Sequence, residues 1–272
     1  NKDPSFTSAI NNLANTYDKM EMFEEAIHCF KRSIAIMPQE PSFFHNLANT
    51  YMRSECFESA RECYLNALQL GANNPEIYNN LGKICMENGE FNSASDYFKK
   101  SLLIRPNSAL TLTNLGNAQK EIGQLMDAIG YYEQAVGLDP EFSEAYANKA
   151  LVHGQLKQND LAIESNNKAL GIDPSLMAVK ANLIYLYRQN ADWGGIELLR
   201  CPTFSSDLTD VAISPFTMLS LEDSADRQLR RSQLFSQTVV SSVSELIKFS
   251  GPTSKHKDRK IKLGYFSSDF RD

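Results

Sequence analysis

The chain has 272 residues, 42% hydrophobic and 22% charged, and its 27 Lys and Arg against 33 Asp and Glu give a formal charge of −6. No apolar run reaches membrane-spanning length and no charged-then-apolar leader opens it, so neither a membrane nor a secretory route is expected. It has no basic stripe to neutralise phosphates, which removes nucleic acid from the expected partners.

Cys29, Cys56, Cys63, Cys85 and Cys201 are odd in number and have no Cys-x-x-Cys or Cys/His spacing. They read as free thiols in a reducing compartment, so the expected location is cytoplasmic, with the nucleus also open to a eukaryotic chain. His28, His45, His153 and His256 have no paired metal spacing, and neither a G-x-G-x-x-G nor a P-loop occurs. No metal, cofactor or catalytic residue is therefore assigned.

In chain order, residues 1–6 read as the end of a preceding repeat, because Asp3-Pro4 lies 34 residues before Met37-Pro38. From there Ala26, Ala60, Ala94, Ala128 and Ala162 follow one another at 34-residue intervals. Twelve residues before each stands a small residue: Ala14, Ala48, Gly82, Gly116 and Ala150. Twelve after come Pro38, Ala72, Pro106, Pro140 and Pro174, where a helix must stop. Phe30, Tyr64, Phe98 and Tyr132 form a bulky column, spaced to enter the holes left by the small one. Each unit predicts an antiparallel helix pair with turns near Met20–Glu21, Ser54–Glu55, Asn88–Gly89, Ile122–Gly123 and Leu156–Lys157. The fifth unit departs from the pattern, with Lys149 where leucine is expected and Asn166 where an aromatic is expected, which predicts looser packing.

These columns resemble the tetratricopeptide repeat over 7–40, 41–74, 75–108, 109–142 and 143–176, with a partial copy at 177–190, so that 7–190 is one array. The fold class expected is all-α, a right-handed superhelix or solenoid of helix pairs stabilised by nearest-neighbour interfaces. A helical transition segment and the stub of an α/β domain would follow it.

One column holds a single residue type in all six first helices: Asn12, Asn46, Asn80, Asn114, Asn148 and Asn182. Asparagine supplies only 22 of 272 residues, so this ladder is not a product of composition. A carboxamide both donates and accepts, and a row of them can grip the peptide units of an extended chain whatever its side chains. Flanking positions are polar as well, with Asn15, Asn49, Asn79, Lys83 and Asn117 as a secondary groove set. A structural alternative has the amides bonding one another between adjacent helices. A clamp for a C-terminal carboxylate is disfavoured, since Asn11, Glu76 and Asn80 stand where its cations would be needed.

Beyond 190 the register ends. Residues 191–250, opened by Asp192-Trp193 and including Ser214-Pro215-Phe216, predict a helical transition region. Residues 251–260 predict a linker, with the basic run from Lys255 to Lys262 read as solvated charge. Ile261, Leu263 and Tyr265 alternate as a first strand leading into a loop through 272, where Asp269 reads as a loop-capping residue.

The run Lys260-Ile-Lys-Leu-Gly-Tyr-Phe-Ser-Ser-Asp-Phe-Arg-Asp272 resembles the start of the catalytic region of O-GlcNAc transferase and SPINDLY-like glycosyltransferases, and asparagine ladders are similar to the groove of their repeat arms. The resemblance implies a parent enzyme that transfers a sugar from a nucleotide sugar such as UDP-GlcNAc, without a metal, to Ser or Thr of intracellular proteins. It also implies that this chain is a catalytically silent fragment, stopping before the family's active-site histidine. Extended segments of intracellular proteins are the expected partners, with self-association through an open solenoid end a further expectation. The alternative expectation is a stand-alone scaffold for protein–protein interaction.

Overall fold

In the computed structural model, residues 4–190 are described, and they comprise eleven helices. The transition region at 191–250, the linker at 251–260 and the strand at 261–272 lie outside the described residues. The helices are α1 (Pro4–Lys19), α2 (Phe23–Ile36), α3 (Pro41–Arg53), α4 (Phe57–Gln69), α5 (Pro75–Glu87), α6 (Phe91–Ile104), α7 (Ala109–Ile122), α8 (Leu125–Leu138), α9 (Ser143–Gln155), α10 (Asn159–Ile172) and α11 (Met177–Gln189). Consecutive helices pack on one another throughout, and α1, α5 and α7 also touch the next first helix but one element away, α3, α7 and α9 respectively. This is the nearest-neighbour connectivity of a solenoid of helix pairs.

Local chemistry sets the helix ends. Pro41 and Pro75 occupy first-turn positions, where a missing N–H costs nothing, and Glu40 and Asn74 accept from the backbone N–H of Ser42 and Glu76 at 3.4 and 2.9 Å. Ser108 caps α7 by accepting from Thr111 N–H at 3.3 Å. The first helix begins at Pro4 rather than at residue 7, so residues 4–6 extend α1 instead of ending a separate element. Proline supports that start, because its fixed φ suits a first helical turn.

The turn inside each pair uses one device five times. A residue in the left-handed region ends the first helix: Glu21, Glu55, Gly89, Gly123 and Lys157, with φ of 60, 59, 74, 91 and 58°. The next residue's N–H then reaches back five residues, as in Met22 to Tyr17 O at 3.0 Å and Gln158 to His153 O at 2.9 Å, which satisfies an otherwise orphaned carbonyl. Where the second repeat lacks its proline, Gly71 at φ 89° and the bond from Ala72 N–H to Ala67 O at 3.0 Å stop α4 by the same means.

The small and bulky columns interlock as their spacing predicts. Ala14, Ala48, Ala150 and the alanines of the 34-residue column are fully buried, as are Tyr64, Phe98 and Tyr132. A Cβ at Gly116 would stand 2.6 Å from the Tyr132 ring, and one at Gly82 would run into the Phe98 ring. Glycine is thus required by close approach at these two positions. Burying such a side chain is worth about 2 kcal/mol, so each ring is a major term in its own repeat. In the fifth repeat Asn166 takes the ring's place, 1% exposed, and neither its Oδ1 nor its Nδ2 finds a partner among the described residues.

Candidate functional site

The asparagine column lies on α1, α3, α5, α7, α9 and α11, one residue per first helix. Asn12 is exposed, and Asn46, Asn80, Asn114, Asn148 and Asn182 are half-buried. This partial burial follows from the column's place beside the buried small residues two positions on. The side chains are held by the array yet keep a face open to solvent.

Three members are tied to the preceding repeat. Asn46 Nδ2 donates to Asn11 Oδ1 at 3.3 Å, and Asn114 Nδ2 donates to Asn79 Oδ1 at 3.0 Å. Asn80 Nδ2 donates to the Tyr64 hydroxyl at 2.8 Å and stands 3.4 Å from Asn49 Oδ1, which itself accepts from that hydroxyl at 2.5 Å. Tyr132 repeats the motif by donating to Asn117 Oδ1 at 2.7 Å. The amides therefore do bond one another across adjacent helices, as the structural alternative holds. These bonds use the amide hydrogens, and no donor among the described residues reaches the side-chain oxygens of Asn46, Asn80 and Asn114. Asn148 and Asn182 have no side-chain hydrogen bond among the described residues.

The secondary set separates into roles. Asn79 is buried and serves as an acceptor within the array, and Asn117 and Asn49 hold the tyrosine hydroxyls. Asn49, Asn79, Asn80 and Lys83 share a cavity of about 340 Å³, with Glu76 and Arg105, 3.9 Å apart, at its rim. Asn15 makes no side-chain hydrogen bond among the described residues. His45, a polar residue just before the column, joins this set, its Nε2 being 3.3 Å from Asn49 Nδ2 and its ring 6.1 Å from that of Tyr64. Burial pushes its pKa below the ordinary 6.5, against an opposing pull from Glu76. Burial pushes the Tyr64 and Tyr132 hydroxyls up, keeping both as donors.

A second cavity, of about 690 Å³, opens further along and includes Asn182 in its lining, with Lys120, Leu151, Gly154, Lys157 and Tyr185. None of these others was a candidate from sequence. The available signal was a break in a column, with Leu151 and Tyr185 standing where earlier repeats carry Asn15, Asn49, Lys83 and Asn117.

The described residues hold no cluster of three or more potential metal ligands, and no helix among them is long and apolar enough to cross a membrane. Cys29, Cys56, Cys63 and Cys85 are free, and burial raises the Cys63 and Cys85 thiols to about 11. Cys201 lies outside the described residues.

Sequence models of the tetratricopeptide repeat match residues 8–40, 56–89, 73–141 and 113–176. The chain is therefore built of tetratricopeptide repeats over most of its described length. Among solved structures it is similar to YrrB, described as a tetratricopeptide-repeat protein with an unusual peptide-binding site, at 19% identity over 62% of this chain and 88% of that one, TM-score 0.56. MamA from Desulfovibrio magneticus RS-1 aligns at 18% identity over 62% of this chain and 96% of that one, TM-score 0.59. Pseudomonas aeruginosa PilF aligns at 17% over 74% and 93%, TM-score 0.61. At such identities the likeness is one of fold. No curated protein matches the chain.

Proposed function

From an array of tetratricopeptide repeats with a polar column along its first helices, we propose that the protein is an interaction scaffold whose groove holds extended segments of partner proteins. One observation carries this reading. The amides of Asn46, Asn80 and Asn114 are fixed by a bond to the neighbouring repeat while their oxygens have no donor among the described residues. An oriented, half-buried acceptor is suited to the N–H of a passing peptide unit and pays little ordering entropy on binding. Asn148 and Asn182 extend the row with no side-chain hydrogen bond among the described residues, and Asn12 begins it. YrrB, described as having a peptide-binding site, shows that another member of the fold carries such a site. Cytoplasmic residence belongs to the same reading and agrees with the free thiols.

The test is peptide binding by the triple variant Asn46→Ala, Asn80→Ala, Asn114→Ala. Affinity for an extended peptide should fall at least about tenfold while the helical signal is kept. A peptide N-methylated along its backbone should lose binding to the unaltered protein, and one with scrambled side chains should keep most of it. Unchanged affinity in a folded triple variant would remove the amides from the mechanism.

A finer reading makes the array the substrate-selecting arm of a sugar transferase using UDP-GlcNAc. It rests on the Lys260–Asp272 run, and the family models and similar structures named above add no support to it. Transfer of labelled GlcNAc to a Ser/Thr peptide by the full-length parent protein would establish it, and failure of that transfer would leave the scaffold reading alone.

A further inference from the structure

Two columns change character in the last two repeats, and they meet at one place. The position holding Asn15, Asn49, Lys83 and Asn117 turns apolar at Leu151 and Tyr185, which are 44% and 48% exposed. The position holding Asp18, Met52, Met86 and Lys120 becomes glycine at Gly154 before Arg188 restores a side chain. A Cβ at Gly154 would meet nothing within 4 Å, so neither close packing nor a positive φ demands glycine there. What the missing side chain leaves is the 690 Å³ cavity, with Leu151 and Tyr185 as its apolar walls.

The charge around this cavity is one-sided. Lys120 and Lys157 line it and no Asp or Glu does, in a chain whose formal charge is −6. Lys120 is paired with Glu121 at 3.0 Å, and Lys157 has no ion pair among the described residues. Asn182 and Gln155 bring amides without a partner among the described residues, and Gln189 closes the rim by bonding Tyr185 and Asn159 at 2.5 and 3.2 Å. An open apolar floor beside an uncompensated ammonium matches a large apolar side chain next to a carboxylate.

We infer that this cavity is the anchor site of the groove, taking one large apolar side chain and an adjacent Asp or Glu from an extended segment of a partner protein. The inference rests on the groove reading above and adds to it what that reading lacks, a side-chain preference and a register. The asparagine column holds backbone irrespective of sequence, and the cavity decides which residue stops there.

The decisive variant is Gly154→Met, which installs the side chain that the second and third repeats carry at the same position. Open space at Gly154 and the better helix propensity of methionine mean that the variant should fold at least as well as the parent. The probe is a blocked, fluorescein-labelled Gly/Ser peptide containing one Asp-Phe-Asp, with Asp-Ala-Asp and Lys-Phe-Lys peptides as comparators, on the full chain. Asp-Phe-Asp should bind at least about tenfold more tightly than either comparator, and Gly154→Met should abolish that preference while leaving residual binding that Asn46→Ala, Asn80→Ala, Asn114→Ala removes. Lys157→Glu should reverse the charge preference. Equal binding of all three peptides, still lost in the triple asparagine variant, would overturn the anchor and leave the groove standing; no binding of any peptide would overturn both. Trp193, the single tryptophan, supplies one more outcome. If Gly154→Met shifts its emission without peptide, the chain's own Asp192-Trp193 occupies the cavity and the partner-binding inference falls.

Discussion

Asn166 is the clearest place to test the packing argument by a gain rather than a loss. It occupies the column of Phe30, Tyr64, Phe98 and Tyr132, is 1% exposed, and has both ends of its amide unpartnered. Leaving a buried donor or acceptor unsatisfied costs about 1–3 kcal/mol. Asn166→Leu is close to isosteric, removes both orphaned groups and adds apolar burial, offset by imperfect fit in a site shaped around an amide. The net stabilisation works out at about 2 kcal/mol. For an array of this size that is a rise of roughly 4–8 °C in Tm, at about 2–4 °C per kcal/mol. Urea unfolding followed by circular dichroism gives the free energy directly, and Asn166→Ala serves as control, losing the amide without replacing its volume. Because solenoid stability is summed over neighbours, hydrogen exchange should place the gain in α9 and α10. A folded Asn166→Leu variant no more stable than the parent, or less so, would show that the amide is satisfied in solution and that the reasoning from its missing partners is wrong.

Gly116→Ala should destabilise by about 1–3 kcal/mol, because its Cβ would lie 2.6 Å from the Tyr132 ring; combining it with Tyr132→Leu should recover part of the loss, and strict additivity in urea titrations would refute the contact. Tyr64→Phe should cost about 1 kcal/mol or more and exceed Tyr132→Phe, since the Tyr64 hydroxyl both donates to Asn49 and accepts from Asn80 whereas Tyr132 serves Asn117 alone; equal losses in thermal melts would count against the network. His45 has a folded-state pKa below its unfolded 6.5, so its contribution is complete above pH 6.5 and is lost as pH falls from there through the lowered value. The stability gap between the parent and His45→Gln should accordingly shrink on going from about pH 7.5 to about pH 5.5, and a constant gap in urea midpoints would contradict the assignment.

The helix pairs were legible because stacking imposes the same contacts on every repeat, so that Ala14 and Phe30 recur as Gly116 and Tyr132 at a fixed interval. Gly89 and Gly123 likewise announced their turns. The turns at Glu21, Glu55 and Lys157 were placed by the 34-residue interval alone, because the left-handed conformation there is enforced by the bond reaching back five residues and not by the residue's own preference. The ladder was visible as composition in one column, but its bonding was not. Asn46 finds Asn11 and Asn114 finds Asn79 at an offset of 35 residues, so a search down single columns cannot see the pairs. The cavity at Gly154 was invisible for a different reason, since it is made by a side chain that is absent and by walls contributed from α9 and α11 together.

These two kinds of site imply different evolutionary latitude along one groove. The bonds at Asn46, Asn80 and Asn114 link each first helix to structure in the repeat before it, so changing one amide alters both the array and the surface offered to a partner. Gly154 and Leu151 are free of that coupling: a Cβ at the glycine would meet nothing within 4 Å and the leucine is half exposed, whereas beside them Lys157 offers its side chain from the left-handed turn that ends α9. Substitution there changes what the groove recognises without taxing the fold. Repeats that must stack therefore confine variable recognition to positions the stacking does not use, and in this chain those positions gather at the cavity that α9 and α11 line together.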